Sequence, residues 1–489
     1  MDTTRRTVLG IAAAATAATA LGTFRAAKAQ NAGGIAQFNR RDVNTLDPDD
    51  PILTTYHDAV KAMRALPEDN PRSWEHQAKI HNRYCPHGNW FFLPWHRAYL
   101  AQFEGIIREI SGNTDWALPY WDWTRNPQIP APFWESGSAL NHARSANSTT
   151  NMPREYVGED VIEAIMLKSN FEDFASFKAS APYNGTGGGQ ATLEARPHNR
   201  VHGAIGGDMS SYFSPRDAIF WLHHGNIDRI WASWNAGGNA NTNDSDLTSF
   251  LFSASQRDRD GNVNASQFVG PNGSPIEYTV ADLYSTQQMG YAYDRLETTV
   301  PNTFIFAAQN LALQSATQEV LGRDINRTVN AGVPLETAIT ITSALTQSVA
   351  ETGRVQALSR IAALQPVSLP KLSTATLVAR GLKTPKDPDA TIRVFLNCDY
   401  LTLETPISDP HYVGSAAFFL AGGHAGTGHD HNQGATYRFD LTEAVDALRR
   451  SGRTISEQIR PQILAIGADG KGTELAIDGS FELIIKTVG

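Results

Sequence analysis

Cysteine is almost missing from this chain. Two residues in 489 allow one disulfide at most and exclude a scaffold built on disulfides. Long apolar runs are missing after the first two dozen residues, so no later segment reads as a membrane-spanning helix. Positive charge is not in excess either. Lys+Arg 41 against Asp+Glu 50 leaves a net charge of -9, which excludes the usual surface for nucleic acid or an anionic membrane. Histidine and tryptophan, by contrast, are well represented, at 14 and 10. Six of the histidines fall in two trios, His81, His87 and His96, then His198, His202 and His224. Imidazole suits copper, iron, nickel and zinc, and three around one ion leave a coordination position open. Two such trios could hold two metals facing each other across one dioxygen.

The N-terminus reads as an export leader over residues 1–29. Thr4-Arg5-Arg6-Thr7-Val8-Leu9 is a twin-arginine pattern, an apolar run from Val8 to Gly22 follows, and Ala27-Lys28-Ala29 offers a cleavage site before Gln30. The apolar run is too short for a stable membrane span. The expectation is export by the twin-arginine route to a periplasmic or secreted location, with no membrane segment in the mature form. That route carries folded proteins, which suits a chain expected to take up metal, with a copper-delivery partner as its source, before leaving. Removing the leader lowers Lys+Arg from 41 to 37 and Asp+Glu from 50 to 49, so the mature charge is -12. A disulfide is not expected, since Cys85 lies inside the first trio and Cys398 far along in a β-like segment.

Composition divides the rest. Residues 30–300 are rich in tryptophan and in Asn/Asp/Pro/Gly loops, with helix-period segments near both trios. Residues 308–363 turn to Ala, Thr, Gln, Val and Leu at helical spacing, without aromatics, and read as a helical pair or connector. With the Pro-rich linker after it, this unit is assigned to 301–389. Residues 390–489 carry strand-like runs, Thr391 to Leu396, Ala416 to Leu420, Ala435 to Leu441, Gln462 to Ile466 and Glu482 to Lys486, with one helix near Glu443 to Arg450. A small β-sandwich is the expectation there.

His198 and His202 sit four apart, on one face of a helix. A helix over Asp217 to Trp231 adds His223 and His224, with His223 read as a packed core residue. Asp228, one turn on, reads as a carboxylate behind the ligands or a salt-bridge partner that fixes the helix. In the first trio, Trp74 to Tyr84 reads as a helix that Pro86 ends, with His87 in the loop and His96 opening the run Trp95 to Ile110. His87 and His96 are nine apart and converge only because Cys85-Pro86-His87-Gly88 separates them. By spacing alone, His57 or His76 could equally be the third ligand.

The segments Ile80-His81-Asn82-Arg83-Tyr84-Cys85 and His87 through Leu100, with Leu118-Pro119-Tyr120-Trp121-Asp122-Trp123, resemble the first copper motif of tyrosinases and catechol oxidases. Pro197 to His202 and Asp217 to Trp231 resemble the second motif of the same type-3 copper family. The resemblance is specific through residues 74–234 and looser beyond. It implies a mainly α fold with a dicopper four-helix-bundle core and long loops, followed by the helical connector and the small C-terminal β-sandwich-like domain. It selects His81 over its competitors and His224 over His223. It places Cys85 where fungal and plant relatives join a cysteine to the second histidine, here His87, by a thioether. Glu194 resembles the plant glutamate that holds a water with the residue after the first ligand, here Asn199. Gly203 matches a position that shapes the substrate pocket, where glycine leaves the site open. The chain departs from the family at Asp217-Ala218, where Asp-Pro is usual, and lacks the plant enzymes' N-terminal cysteines.

The resemblance implies two copper ions, O2 as co-substrate, and small phenols and catechols as substrates. Tyrosinase activity is the expectation, because Glu194 and Asn199 could deprotonate a phenol of pKa about 10 through a held water. Catechol oxidase and o-aminophenol oxidase are the alternatives. A hemocyanin-like oxygen carrier and a zinc hydrolase fit less well: the first because of the single copper domain and the open Gly203 position, the second because no carboxylate bridges the trios. The C-terminal domain is expected to shield the pocket, as in latent relatives. The stretch His424 to His431, with His411 nearby, reads first as a Gly-rich surface turn and second as a copper-capture loop.

Overall fold

A computed structural model of the chain describes residues 24–25, 36–168, 170–178, 188–252, 268–297, 317–361, 373–385, 387, 389–419, 434–453, 455 and 457–487. Most of the leader and all of the His424 to His431 stretch lie outside the described residues.

Local chemistry sets the helices of the first unit. Helix α1 (Pro51–Ala65) starts on Asp50, whose carboxylate accepts the Ile52 N–H at 2.8 Å, with proline at the first helical position. Helix α2 (Trp74–Tyr84) starts on Ser73, whose Oγ accepts from His76 N. It ends at Cys85, which Pro86 forces into extended backbone. Helix α3 (Phe92–Ser111) ends at Gly112, at φ 71° in the left-handed region. Helix α4 (Asn199–Ile205) follows a single wide turn over Glu194–His198, and helix α5 (Ile219–Ala236) is buried along most of its length. Asp217 caps α5 by accepting from Ile219 N, so Ala218 stands where proline is usual without loss of the helix start. Helices α1, α2, α3 and α5 share one core with Tyr56, Phe103 and Trp221, as the bundle expectation requires.

The second unit is a sandwich of two four-stranded sheets. One has the order β8 (Ala435–Asp440), β5 (Ser373–Leu382), β10 (Leu475–Thr487), β3 (Thr317–Val329). The other has β7 (Tyr412–Ala417), β6 (Thr391–Leu396), β9 (Pro461–Ile466), β4 (Leu335–Glu336). Leu377 and Leu483 from the first and Ile392 and Val394 from the second share one core, which defines the layers. Helices α6 (Ser343–Ile361) and α7 (Thr442–Arg450) pack together beside them.

The connector is corrected here. Among the described residues of the connector only 343–361 is α-helical, whereas 317–329 is a strand paired along its whole length with β10. The misreading has a physical cause. Leu321, Ile325 and Val329 recur every four residues, a spacing that keeps side chains together on a helix and also on a strand. Ile325 and Val329 are the members buried in the sandwich. The sheet unit therefore starts near 317 rather than 390.

Candidate metal centre

Both trios converge, and they face each other. The rings of His96 and His224 stack at 4.2 Å between centroids, and those of His87 and His198 lie 5.3 Å apart. Ligand atoms of His81, Cys85, His87 and His96 lie within 4.8 Å of one another, as do those of His198, His202, His223 and His224. His57 and His76 stay outside both groups, and His57 pairs with Asp58 at 3.0 Å.

Hydrogen bonds at the outer nitrogens fix how these rings point. A carbonyl oxygen can only accept, so a ring nitrogen bonded to one carries the proton and leaves the other nitrogen's lone pair for a metal. Nδ1 of His81 donates to Tyr212 O at 2.7 Å, that of His96 to Phe92 O at 2.8 Å, and that of His202 to Met209 O at 2.7 Å. Nδ1 of His198 donates to the Asn199 side-chain oxygen at 2.8 Å, and its Nε2 is buried with no partner. His223 is the opposite tautomer: its Nδ1 accepts from the Trp123 indole N–H at 3.2 Å, which leaves the proton on Nε2. It therefore presents an N–H and not a lone pair, the physical ground for preferring His224.

Burial keeps the rings neutral. It pushes His96 down to about 3 and His202 down to about 4, and holds His198 and His224 well below the ordinary imidazole value. Neutral imidazoles are metal ligands, and protonated ones are not. Nε2 of His202 and Nε2 of His224 come within 3.2 Å, two inward nitrogens with a cation's place between them. Donor type throughout, tautomer at His81, His96, His198 and His202, and neutrality at His96, His198, His202 and His224 are thus compatible with two copper ions, one at each trio.

Around the rings, the side chains have distinct places. Cys85 Sγ lies 3.6 Å from His87 Nδ1 and 3.7 Å from its Nε2, nearly equidistant from the two atoms that flank Cε1. Neither cysteine is in a disulfide, and both are buried. The wide turn before α4 is made by Pro197, which lacks an N–H, and by Asn199 N–H reaching back five residues to Glu194 O. It sends the Glu194 carboxylate toward the first trio's loop, where it accepts from Gly88 N at 2.7 Å and from the Ser176 hydroxyl. Burial raises Glu194 to about 8 despite those two donors. Asn199 gives its amide N–H groups to Gln190 Oε1 at 2.6 Å and Ala417 O at 2.8 Å. The side chains of Glu194 and Asn199 are therefore not joined to each other directly. Asp228 does not reach a histidine. It accepts from Arg97 Nε at 2.6 Å, Arg40 at 3.2 Å, Tyr291 at 2.6 Å and Tyr293 at 2.5 Å, so of its two readings the salt-bridge partner holds.

One functional side chain left no sequence signal. Phe419, just past β7, lays its ring 4.6 Å from His87, 5.0 Å from His202 and 5.2 Å from Tyr212. The Gly203 position is covered too: a Cβ there would meet Asp389 Oδ1 at 3.2 Å. Open in sequence, it is occluded by the sheet unit. That unit is held down by Arg393 and Ser415 on Glu155, at 2.7 and 2.5 Å, and by Lys168 on Asp440 at 2.9 Å.

The family model for the common central domain of tyrosinase matches residues 71–161 and 134–237, the stretch that carries both trios. A tyrosinase from Hahella sp. (strain CCB-MM4) is 31% identical over 306 residues, 51% of this chain and 62% of its own length. A chloroplastic polyphenol oxidase from Malus domestica is 30% identical over 287 residues, 50% of this chain and 46% of its own. The chain thus spans about half the length of the curated relatives it matches. The solved structure of latent apple tyrosinase superposes with TM-score 0.64 at 21% identity, covering 92% of this chain and 97% of that one. A latent aurone synthase gives 0.64 at 18% identity, covering 96% and 92%. Both likenesses extend over the helical unit and the sandwich and concern the fold. No helix among the described residues is long and apolar enough to cross a membrane.

Proposed function

We propose that the chain is a member of the type-3 copper family of tyrosinases and polyphenol oxidases, whose central-domain model and relatives it matches, and that it oxidises small phenols with O2, hydroxylating monophenols and converting o-diphenols to o-quinones. The observation that carries the reading is the donor set: six histidines, five buried and His87 half-buried, in two facing trios, with Nδ1 of His81, His96, His198 and His202 tied to oxygen acceptors. Two copper ions held there would supply the electrons that O2 accepts.

The chain's own residues would do the rest. Phe92 and Phe220 pack against the ligand rings, at 4.7 Å from His198 and 4.3 Å from His224, and keep bulk water off them. Glu194, raised to about 8, is mostly protonated at neutral pH, so its ionised fraction, which grows as pH climbs toward that value, is what would act as the general base. The proton in question is that of a phenol hydroxyl, passed through a water between Glu194 and Asn199. Phe419 stands where a phenol ring would lie, so the reading includes latency: the sheet unit must withdraw before substrate enters. A thioether between Cys85 and His87 and export by the twin-arginine route belong to the same reading.

Oxidation of catechols without hydroxylation is the second reading. It is favoured by the engagement of both Asn199 amide hydrogens, one of them by Ala417 of the sheet unit. Metal analysis and oxygen uptake by the copper-loaded chain test both. Two coppers per chain and uptake with tyrosine, catechol and o-aminophenol support the first; uptake with catechol but not tyrosine selects the second. A single metal per chain, or reversible O2 binding without consumption on catechol, overturns both.

A further inference from the structure

We propose that Cys398, Asp409 and His411 form a mononuclear site for a Zn2+-class ion in the C-terminal sandwich, separate from the histidine sextet. One ligand atom from each of the three lies within 4.8 Å of the others. A tetrahedral zinc bound by sulfur and nitrogen holds such atoms about 3.5 Å apart, so side-chain adjustment of about an ångström closes the site.

The stronger argument is His411. Its ring is buried, 4% exposed, and Nδ1 donates to Leu396 O at 2.6 Å. Since that carbonyl can only accept, a neutral ring presents its lone pair on Nε2, and Nε2 is buried with no hydrogen-bond partner. A buried acceptor left unpaired is costly, and an ion at that nitrogen removes the cost. A backbone carbonyl fixing the far nitrogen is the arrangement that metal-ligating histidines commonly use.

The backbone places the other two ligands. Cys398 follows β6 after Asn397, the one non-glycine residue among those described with positive φ, at 53°. Gln462 then clamps Cys398 from both sides, accepting from its N–H at 2.6 Å and donating to its carbonyl at 2.9 Å. Asp409 directs one oxygen to His411 N at 2.9 Å and accepts the Tyr400 hydroxyl on the other at 3.0 Å. Tyr400 is exposed, which gives an ion a way in. A thiol, an imidazole and a carboxylate with room for a water match the mixed donor set zinc accepts, whereas Cu+ favours sulfur and disfavours carboxylate.

Cobalt titration of the full, copper-loaded chain is the test, with Co2+ as the coloured stand-in for zinc. The expected result is one equivalent bound, a near-ultraviolet sulfur-to-cobalt band, and bleaching by stoichiometric Zn2+. The band should survive Cys85→Ser and vanish in Cys398→Ser. Asp409→Asn should weaken Zn2+ binding by at least about 10-fold. Should Cys398→Ser not fold, His411→Gln is read instead and should weaken binding by about 100-fold or more. Absence of the band in the parent chain, its survival in Cys398→Ser, its loss in Cys85→Ser, or uptake of Cu+ without Co2+ or Zn2+ would each overturn the proposal.

Discussion

The ring of Phe419 lies 4.6 Å from that of His87, centroid to centroid. A residue of the sheet unit thus touches a histidine that sequence alone assigns to the metal. Fully burying a phenylalanine side chain is worth about 1.5–3 kcal/mol; Phe419 is half-buried, so truncating it should shift the balance between covered and open site by about 10-fold. Phe419→Ala in the full chain should raise kcat/KM for a catechol by about that factor, with copper content unchanged. An unaltered rate would show that this ring does not limit entry.

How far the sequence discloses this site depends on the range of the interactions. Helix α2 is readable because Ser73 and Pro86 mark its ends within the segment itself. The histidine clusters are readable because a metal demands donors in a recognisable pattern, although only the resemblance picks His81 over His57 and His76. Phe419 is not, because its role arises only when a sheet more than 200 residues downstream of His198 docks against the bundle. The same distance hides Ala417, whose carbonyl occupies the Asn199 amide. Choosing His224 over His223 needed the resemblance at the sequence level; in the structure, the Trp123 indole decides it by fixing a tautomer.

Cys85 and His87 lead to a covalent prediction. Sγ is nearly equidistant from the two nitrogens flanking Cε1, at 3.6 and 3.7 Å. Forming an Sγ–Cε1 bond releases two protons and two electrons, and O2 accepts the electrons. After copper loading in air, intact-mass analysis should find the chain two hydrogen atoms lighter than its composition requires. A Cys85–His87 crosslinked peptide should account for the difference, and Cys85→Ser should restore the full mass. An unshifted parent mass would leave Cys85 a free thiol.

Glu194 should make the metal-free protein less stable as pH rises. Burial lifts its value from an ordinary 4.5 to about 8, so folding favours the neutral carboxyl. Its contribution is therefore whole below the ordinary carboxylate value and is lost as pH climbs through about 8. Glu194→Gln imitates the neutral form and can still accept from Gly88 N–H. Its Tm should match the parent's at about pH 5 and exceed it at about pH 9, by differential scanning calorimetry. Parallel Tm curves for the two proteins would contradict the shift.

Asp228 should be the costliest single carboxylate to neutralise in the bundle. Its charge answers two buried guanidinium groups, Arg97 and Arg40, and accepts both the Tyr291 and Tyr293 hydroxyls. Arg40 also has Glu104, at 3.2 Å, but Arg97 keeps no anionic partner once Asp228 is gone, only the carbonyls of Leu283 and Tyr284 and the face of the Trp231 ring at 3.6 Å. Burial alone would raise the Asp228 carboxyl; the two arginines and the two hydroxyls outweigh it and hold the group below its ordinary value. Removing one partner of a buried pair costs about 3–5 kcal/mol, because the remaining charge stays desolvated. Asp228→Asn should therefore lower Tm strongly and reduce copper uptake, since Arg97 adjoins His96 on α3 and Asp228 lies one turn beyond His224 on α5. The exposed pair of Lys471 and Asp469, at 3.0 Å, gives the contrast. Water screens it on every side, so Asp469→Asn should leave Tm where it was. Equal Tm losses in the two variants would mean that the Asp228 network orders nothing around the metal.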